Sequence, residues 1–428
     1  MDLAPRSYNQ SMEVLIRSSS CVAVTAVLVC VASLALAADS PSPTELSDAE
    51  IPAVSDALLR EAIELAGANR DELNAALDYC IQKPWTMEAM RFAIANLPLA
   101  DLGSISAEML IENVELAMEA YAVFDYASYD AATWAHYVLP PRISQEPLSN
   151  WRQYFMTELS PLVEDCTTLE EAAVLVNQWC GERVKFQQTQ RRDQGPLATL
   201  KSGYGRCEEM VIVYISACRA VGIPTRQAYC PWWSWGDNNH AWVEVLDSHG
   251  RWCYTGGCEP KPVLDDAWYN TAVKRASIVC SMCYGLPEEL GPDIVGYNDE
   301  PGSRYCQINS IGHYRHTGRL DVDLLPAVTA ASDPNRSYKA DDSIDYWLYV
   351  YVFNYGALRP VAKIHVDDAC KASIELGAGR YALSTSLPVT EPVVWVDLAD
   401  SEVKVLDWLD TPSLPDELIL EFPEDTLE

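Results

Sequence analysis

Positive charge is what this sequence has least of. Only 30 of its 428 residues are Lys or Arg, against 62 Asp or Glu, for a net charge of −32. Binding a polyanion rests on many Lys/Arg–phosphate contacts, so nucleic acid is excluded as a partner. The acids are scattered along the chain and not gathered in a tail, which reads as a solvated, self-repelling surface. After Ala37 no apolar run is long enough to cross a bilayer. Metal-ligand spacing is lacking too. Cys280-Ser-Met-Cys283 has no second cysteine or histidine pair at zinc-finger distance and reads as a disulfide or buried thiols; nothing resembles a calcium loop. No metal or other cofactor is expected.

What is present is a large hydrophobic fraction, 49%, enough for packed cores. At roughly 150 residues per domain the length predicts two or three domains. The run Cys21–Ala37 ends in small residues, with Ala35 and Ala37 one position apart. That is the pattern of a signal peptide, residues 1–37, cleaved after Ala37 or Ala38, with an uncleaved anchor as the alternative. Translation from Met12 would give it a start of more conventional length. The mature chain is then expected outside the membrane in an oxidising compartment, secreted or periplasmic. Of the 14 cysteines, Cys21 and Cys30 leave with the signal; spacing does not disclose how the others pair.

Residues 38–147 read as helical. Apolar residues recur at helical spacing in Ser55–Leu65, Arg70–Tyr79 and Glu108–Val123, with Ser55 as an N-cap. His136 at the edge of this region is given no role. In residues 148–290, amphipathic helices around Trp151–Leu162 and Leu169–Val184 precede a third, Cys207–Val221, closed by Gly222. The period then switches to two in Arg226–Cys230, His240–Leu246 and Arg251–Tyr254. Helices first and strands after predict an α+β fold, helices packed on an antiparallel sheet. Residues 291–309, with the Pro/Gly-containing stretch Gly291–Ser303, read as a linker. From 310 to 428 the segments Leu320–Leu324, Asp345–Val352, Ala362–Val366, Lys371–Leu376, Arg380–Ser384 and Val393–Asp397 predict a β-sandwich, Ig-like or prealbumin-like. His313, His316 and His365 fall in it or its approach, with no chemistry assigned.

Cys207 differs from the other cysteines. It follows a glycine-containing turn and opens a helix, where the dipole and free N–H groups stabilise a thiolate and could receive an oxyanion. A cysteine nucleophile needs a base, and His240 begins a strand after the aromatic, polar loop Trp232–Asn239. Trp232, Trp233 and Trp235 in that loop either line a substrate cleft or cover the core.

The motifs Gly-Tyr-Gly-Arg-Cys-Glu-Glu (203–209), Cys-Arg-Ala-Val-Gly-Ile-Pro-Thr-Arg (218–226), His-Ala-Trp-Val-Glu-Val (240–245) and Gly-Arg-Trp (250–252) resemble the transglutaminase-like superfamily core. The resemblance covers about residues 150–290 and implies a papain-like fold. The layout is similar to bacterial exported transglutaminase-domain proteins. The resemblance makes Cys207 the nucleophile and His240 the general acid/base. The family's third member is an acid four residues after the tryptophan of the next strand; here that tryptophan is Trp252 and the position is Gly256. Glu259, whose longer side chain could reach back, is the nearest substitute, and Asp265 ranks second. By analogy Gln194 is a second oxyanion donor beside the Cys207 backbone. The implied function is a cysteine acyl-transfer enzyme on amide bonds, peptidase or amidase ahead of cross-linking, acting on a peptide, glycopeptide or cell-wall peptide. The alternative, to which Gly256 and the surplus cysteines point, is a transglutaminase-like fold that has lost turnover and serves as a binding or scaffold module.

Overall fold

Local sequence explains the first helix directly: the Ser55 hydroxyl accepts from the Leu58 N–H and starts α1 (Asp56–Leu65). The computed structural model describes residues 51–188, 193–285, 295, 305–331 and 346–411. The predicted signal peptide, and the predicted linker stretch Gly291–Ser303 apart from Val295, lie outside the described residues. After α1 come α2 (Arg70–Gln82), α3 (Met87–Ala95), α4 (Leu99–Leu102), α5 (Ala107–Val123) and α6 (Ala131–Tyr137). Their apolar stripes meet in one core around Leu73, Met90, Leu110, Val114 and Trp134. The sequence pattern does not announce α3. It buries Ala89, Met90 and Phe92–Ala95, so it has no wide polar face to set a period.

The next layer is α7 (Arg152–Val163), α8 (Leu169–Arg183), α9 (Pro196–Ser202) and α10 (Cys207–Ala220). Helix α10 is the axis of this part, with every residue from Glu209 to Ala220 buried. It packs on β3 (Thr225–Cys230) and β4 (His240–Leu246), the centre of an antiparallel sheet. β5 (Trp252–Thr255) closes one edge; β6 (Cys280–Tyr284) and β7 (Tyr305–Asn309) extend the other, in the order β5-β4-β3-β6-β7. A short parallel pair, β1 (Lys185–Phe186) with β2 (Tyr204–Gly205), leads into α10. β7 lies inside the predicted linker 291–309 and is instead the fifth strand of the sheet. It pairs Met282 with Gln307 and Cys283 with Cys306. The C-x-x-C motif sits in β6, where residues three apart face opposite sides. Cys280 joins the sandwich core and Cys283 packs with Tyr137 and Ile308, both as buried thiols.

Several residues of the sequence motifs act as structure. The Glu244 carboxylate is fully buried and takes hydrogen bonds from Arg226 (2.5 Å), Ser281 (2.7 Å) and Tyr314 (2.7 Å). Burial pushes against its charge, but Arg226 and these donors hold it below the usual carboxylate range. The Trp252 ring covers the Arg226 guanidinium at 4.0 Å. Removing one partner would strand a buried charge, so the motif residues Arg226, Glu244 and Trp252 fasten β3, β4 and β5 together.

The last part has two sheets over one core of Leu320, Leu348, Val350, Val361, Tyr381 and Val394. One sheet orders β10 (Ala357–His365), β9 (Trp347–Asn354), β12 (Gly379–Thr385) and β13 (Val394–Leu398); the other orders β11 (Lys371–Leu376), β8 (Gly318–Asp323) and β14 (Val403–Asp407). β9 alternates buried and half-buried residues along its length, as one face of a sandwich requires. β14 runs parallel to β8 and was not anticipated, because most of VKVLD stays partly or fully exposed. Asn354 at the end of β9 donates to the carbonyls of Trp233 and Gly236, each at 2.8 Å, and so ties this part to the loop before His240. Among the described residues no helix is long and apolar enough to cross a membrane.

Candidate active site

The N-terminus of α10 is built by glycine and a capping box. Gly203 takes φ +75° to end α9, a left-handed turn that glycine makes without strain. Arg206 is the N-cap; its N–H donates to Glu209 Oε2 at 2.8 Å, and Glu209 is itself wholly buried. The chain therefore enters α10 in one orientation, with Cys207 as the first helical residue. Cys207 is half-buried, and its sulfur lies against the N–H groups of Ala241 and Glu208. The helix start was expected to favour a thiolate. Burial outweighs it: desolvation pushes the thiol above its ordinary value, although the two N–H groups and Arg206 pull the other way.

His240 opens β4, directly opposite Cys230. Its ring is enclosed by Trp268 and Tyr269, both 4.9 Å away centroid to centroid, and by Trp242 at 5.9 Å. Burial lowers its pKa to about 4, and Nε2 is buried without a hydrogen-bond partner. At neutral pH the resting pair is thus a thiol and a neutral imidazole. Both side chains line one cleft of about 210 Å³, between the α10 N-terminus and the β3–β4 and β6–β7 strands.

The turn after β5 holds Gly256 and the first of the two candidate acids. Gly256 bridges to Glu259, and the Glu259 side chain folds back so far that its carboxylate fills the space in which a Cβ on Gly256 would stand. Glu259 is half-buried, and burial raises its pKa. Its Oε2 accepts from Trp268 Nε1 at 3.0 Å, and the Trp268 ring lies against His240. The carboxylate is therefore one side chain removed from the imidazole. Asp265 is not brought to His240. Its carboxylate accepts the Tyr254 N–H at 2.8 Å and lines a separate depression of about 470 Å³ with Asp247, Cys253 and Leu264. Gln194 is not in the cleft either. Its amide and backbone N–H both point at Glu209 Oε1, at 3.4 and 3.2 Å, because that buried carboxylate needs donors.

Of the three tryptophans, only Trp232 lines the cleft. Trp233 is buried and stacks parallel to Trp242 at 6.5 Å, and Trp235 packs on Trp233 and under Arg275, so these two cover the core. The cleft also gathers residues the sequence reading left out: Ser144 and Gln145 before α7, Glu208 and Gln227 beside the cysteine, and Met282, Tyr305 and Gln307 from β6–β7. Only Glu208 carried a signal, as the residue after Cys207 in the 203–209 motif. Gln227, Met282, Tyr305 and Gln307 are brought together by sheet order, and Ser144 and Gln145 by a loop that Ser144 fastens to Glu208. Among the described residues no group of three His, Cys, Asp or Glu side chains could hold a metal ion.

A cysteine at a helix start and a histidine at a strand start, meeting in one cleft over an antiparallel sheet, form a papain-like arrangement. Residues 159–255 match the transglutaminase-like superfamily. The match to this superfamily runs from α7 to the end of β5 and takes in both Cys207 and His240. It stops one residue short of Gly256, so the turn carrying Glu259 lies beyond the transglutaminase-like match. Solved structures with likeness to the chain include a proposed cysteine protease from Cytophaga hutchinsonii, at 15% identity over 37% of this chain with a TM-score of 0.23. Another is red sea bream transglutaminase, at 11% identity over 58% of this chain with a TM-score of 0.25. The chain spans 58% of the length of each. No curated protein matches.

Proposed function

We propose that this protein is a cysteine acyl-transfer enzyme acting on amide bonds, with hydrolysis as its ordinary outcome. The observation that carries this is the shared cleft: the half-buried Cys207 and the buried His240 are the thiol and imidazole lining it. Because both rest neutral, His240 takes the thiol proton as sulfur attacks the carbonyl carbon. The N–H groups at the start of α10 receive the developing oxyanion. The imidazolium then protonates the leaving amine, a thioester remains on Cys207, and water or a second amine releases the acyl group. Glu259, standing in place of an acid at position 256, is the group we assign to orient His240, by way of the Trp268 contact or after that ring swings aside. The substrate is a peptide, glycopeptide or cell-wall peptide. The run Cys21–Ala37 supports work outside the cytoplasm.

A second reading has an observation of its own. His240 Nε2 is buried and unpartnered, as in a site that keeps the fold without turnover and serves to bind. Alkylation of Cys207 across pH separates the two. Selective labelling at Cys207 that collapses in His240→Ala supports the enzyme; labelling indifferent to His240 leaves only the binding module.

A further inference from the structure

Charge and hydrogen-bonding capacity in the cleft are lopsided. Among the described residues lining it Glu208 is the acidic side chain, and there is no Lys or Arg. Its Oε1 accepts from Ser144 Oγ at 2.7 Å and from Gln227 Nε2 at 3.2 Å, while Oε2 takes no hydrogen bond from the described residues. The bond to a carboxylate fixes which end of the Gln227 amide is nitrogen, since only the NH₂ end can donate. Gln227 Oε1 is therefore a true acceptor. It is buried with no partner, on a residue only 3% exposed. A buried acceptor left unpaired is costly unless something supplies a donor. Tyr229 adds an aromatic face to the same cleft, a surface that attracts cations; the Trp232 ring there already carries the Arg359 guanidinium at 5.1 Å.

We infer that Glu208 and Gln227 form a subsite for a primary ammonium group on the substrate, next to Cys207. An ammonium has three donors and no acceptor, which is the complement of a free carboxylate oxygen and an unpaired amide oxygen. The inference rests on the proposed chemistry of Cys207 for its purpose, but the subsite is defined by its own residues. Two sources carry this group: the free amino terminus of a peptide, close to the scissile carbonyl, and a lysine-like side chain, further away.

Methanethiosulfonates test it. The Cys207 sulfur attacks the reagent's sulfenyl sulfur, a mixed disulfide forms and methanesulfinate leaves. Rates at Cys207 are read by peptide mass for the 2-aminoethyl, 6-aminohexyl and neutral 2-hydroxyethyl reagents. The measurement is made near 1 M salt, where the screening length is about 3 Å and the net charge of −32 cannot act at a distance. An ammonium reagent should react about tenfold faster or more than the neutral one. Preference for the short tether assigns an amino terminus, and for the long tether a lysine-like group. Glu208→Gln should bring the ratio near one, and Gln227→Met should lower it in part. Equal rates in the natural protein, or a ratio that survives Glu208→Gln, would overturn the subsite. Cys207→Ala protein removes the proposed chemistry and leaves the subsite. Butylammonium chloride must still shift the Gln227 side-chain amide resonance there, and no shift refutes the subsite whatever becomes of the enzyme reading.

Discussion

The N-terminus of α10 and the turn after β5 both bring a side chain to the surroundings of His240, and they do so by different means. At α10 Cys207 is fixed from several directions. A capping box sets the helix entry, the helix is buried from Glu209 on, and the sulfur touches the backbone of β4. The turn is just as constrained in its backbone: a Cβ on Gly257 would stand 2.7 Å from the Val211 backbone of α10. Its side chain is not. Glu259 is held by one hydrogen bond to an indole that is itself 65% exposed. Cys207 and His240 are therefore held by the fold itself, while the Glu259 carboxylate is held by an exposed side chain.

The largest effect should come on the rigid side. His240→Ala removes the base, and alkylation of Cys207 at neutral pH should slow by about 100-fold or more, in keeping with general-base contributions. A loss under threefold would mean that the thiol reacts without help, and the comparison would have no catalytic content.

The movable side is tested by an exchange. Glu259→Ala should slow the His240-dependent reaction by about tenfold, less than removing the imidazole. Pairing Gly256→Asp with Glu259→Gly clears both the carboxylate and the Cβ of residue 259, the latter 2.8 Å from where a Cβ at 256 would stand, and then fills the space from the family position, so this double variant should recover most of the loss. Gly256→Asp alone should do harm, since its Cβ would meet the Glu259 carboxylate. If the double variant is no better than Glu259→Ala, the two carboxylates do not share a role.

Legibility in the sequence followed the same division. Helix α10 and strands β3 and β4 were marked by a capping turn, a closing glycine and a clean switch of period, and Cys207 and His240 stand where those marks put them. Glu259 was legible as a candidate because a longer side chain just past a glycine can turn back. What it touches was not, since Trp268 enters from a later loop. Gln194 failed for a physical reason hidden from the sequence: Glu209 is buried and takes the amide for itself. Gln227 was invisible because, within a strand buried along nearly its whole length, alternation gives no sign of which polar residue faces a cleft. β7 was lost because it directly follows the Pro/Gly-containing stretch Gly291–Ser303 and reads as part of the same linker, while it pairs with β6 as the edge strand of the sheet.

A smaller effect concerns stability. His240 has a folded pKa of about 4, against an ordinary value near 6.5. The unfolded chain takes up the proton first, so the contribution is complete above about pH 6.5. It is lost as pH falls toward 4, by at most ~3 kcal/mol and with solvent access less. Thermal melts of the natural protein should therefore fall more steeply across that window than those of His240→Gln, which has nothing to titrate there. Parallel curves would mean that the imidazole is better solvated than its aromatic enclosure indicates.

The smallest expected change is the most informative about the turn. Trp268→Phe keeps a ring against His240 but removes the N–H that holds Glu259. The freed carboxylate would then be able to reach the unpartnered Nε2. Alkylation of Cys207 should rise by about two- to threefold, the scale of one modest hydrogen bond gained, and the rise should vanish in Trp268→Phe with Glu259→Gln. A fall in rate instead would show that the indole relays the orientation of His240, and that the acid works through the ring and not after its departure.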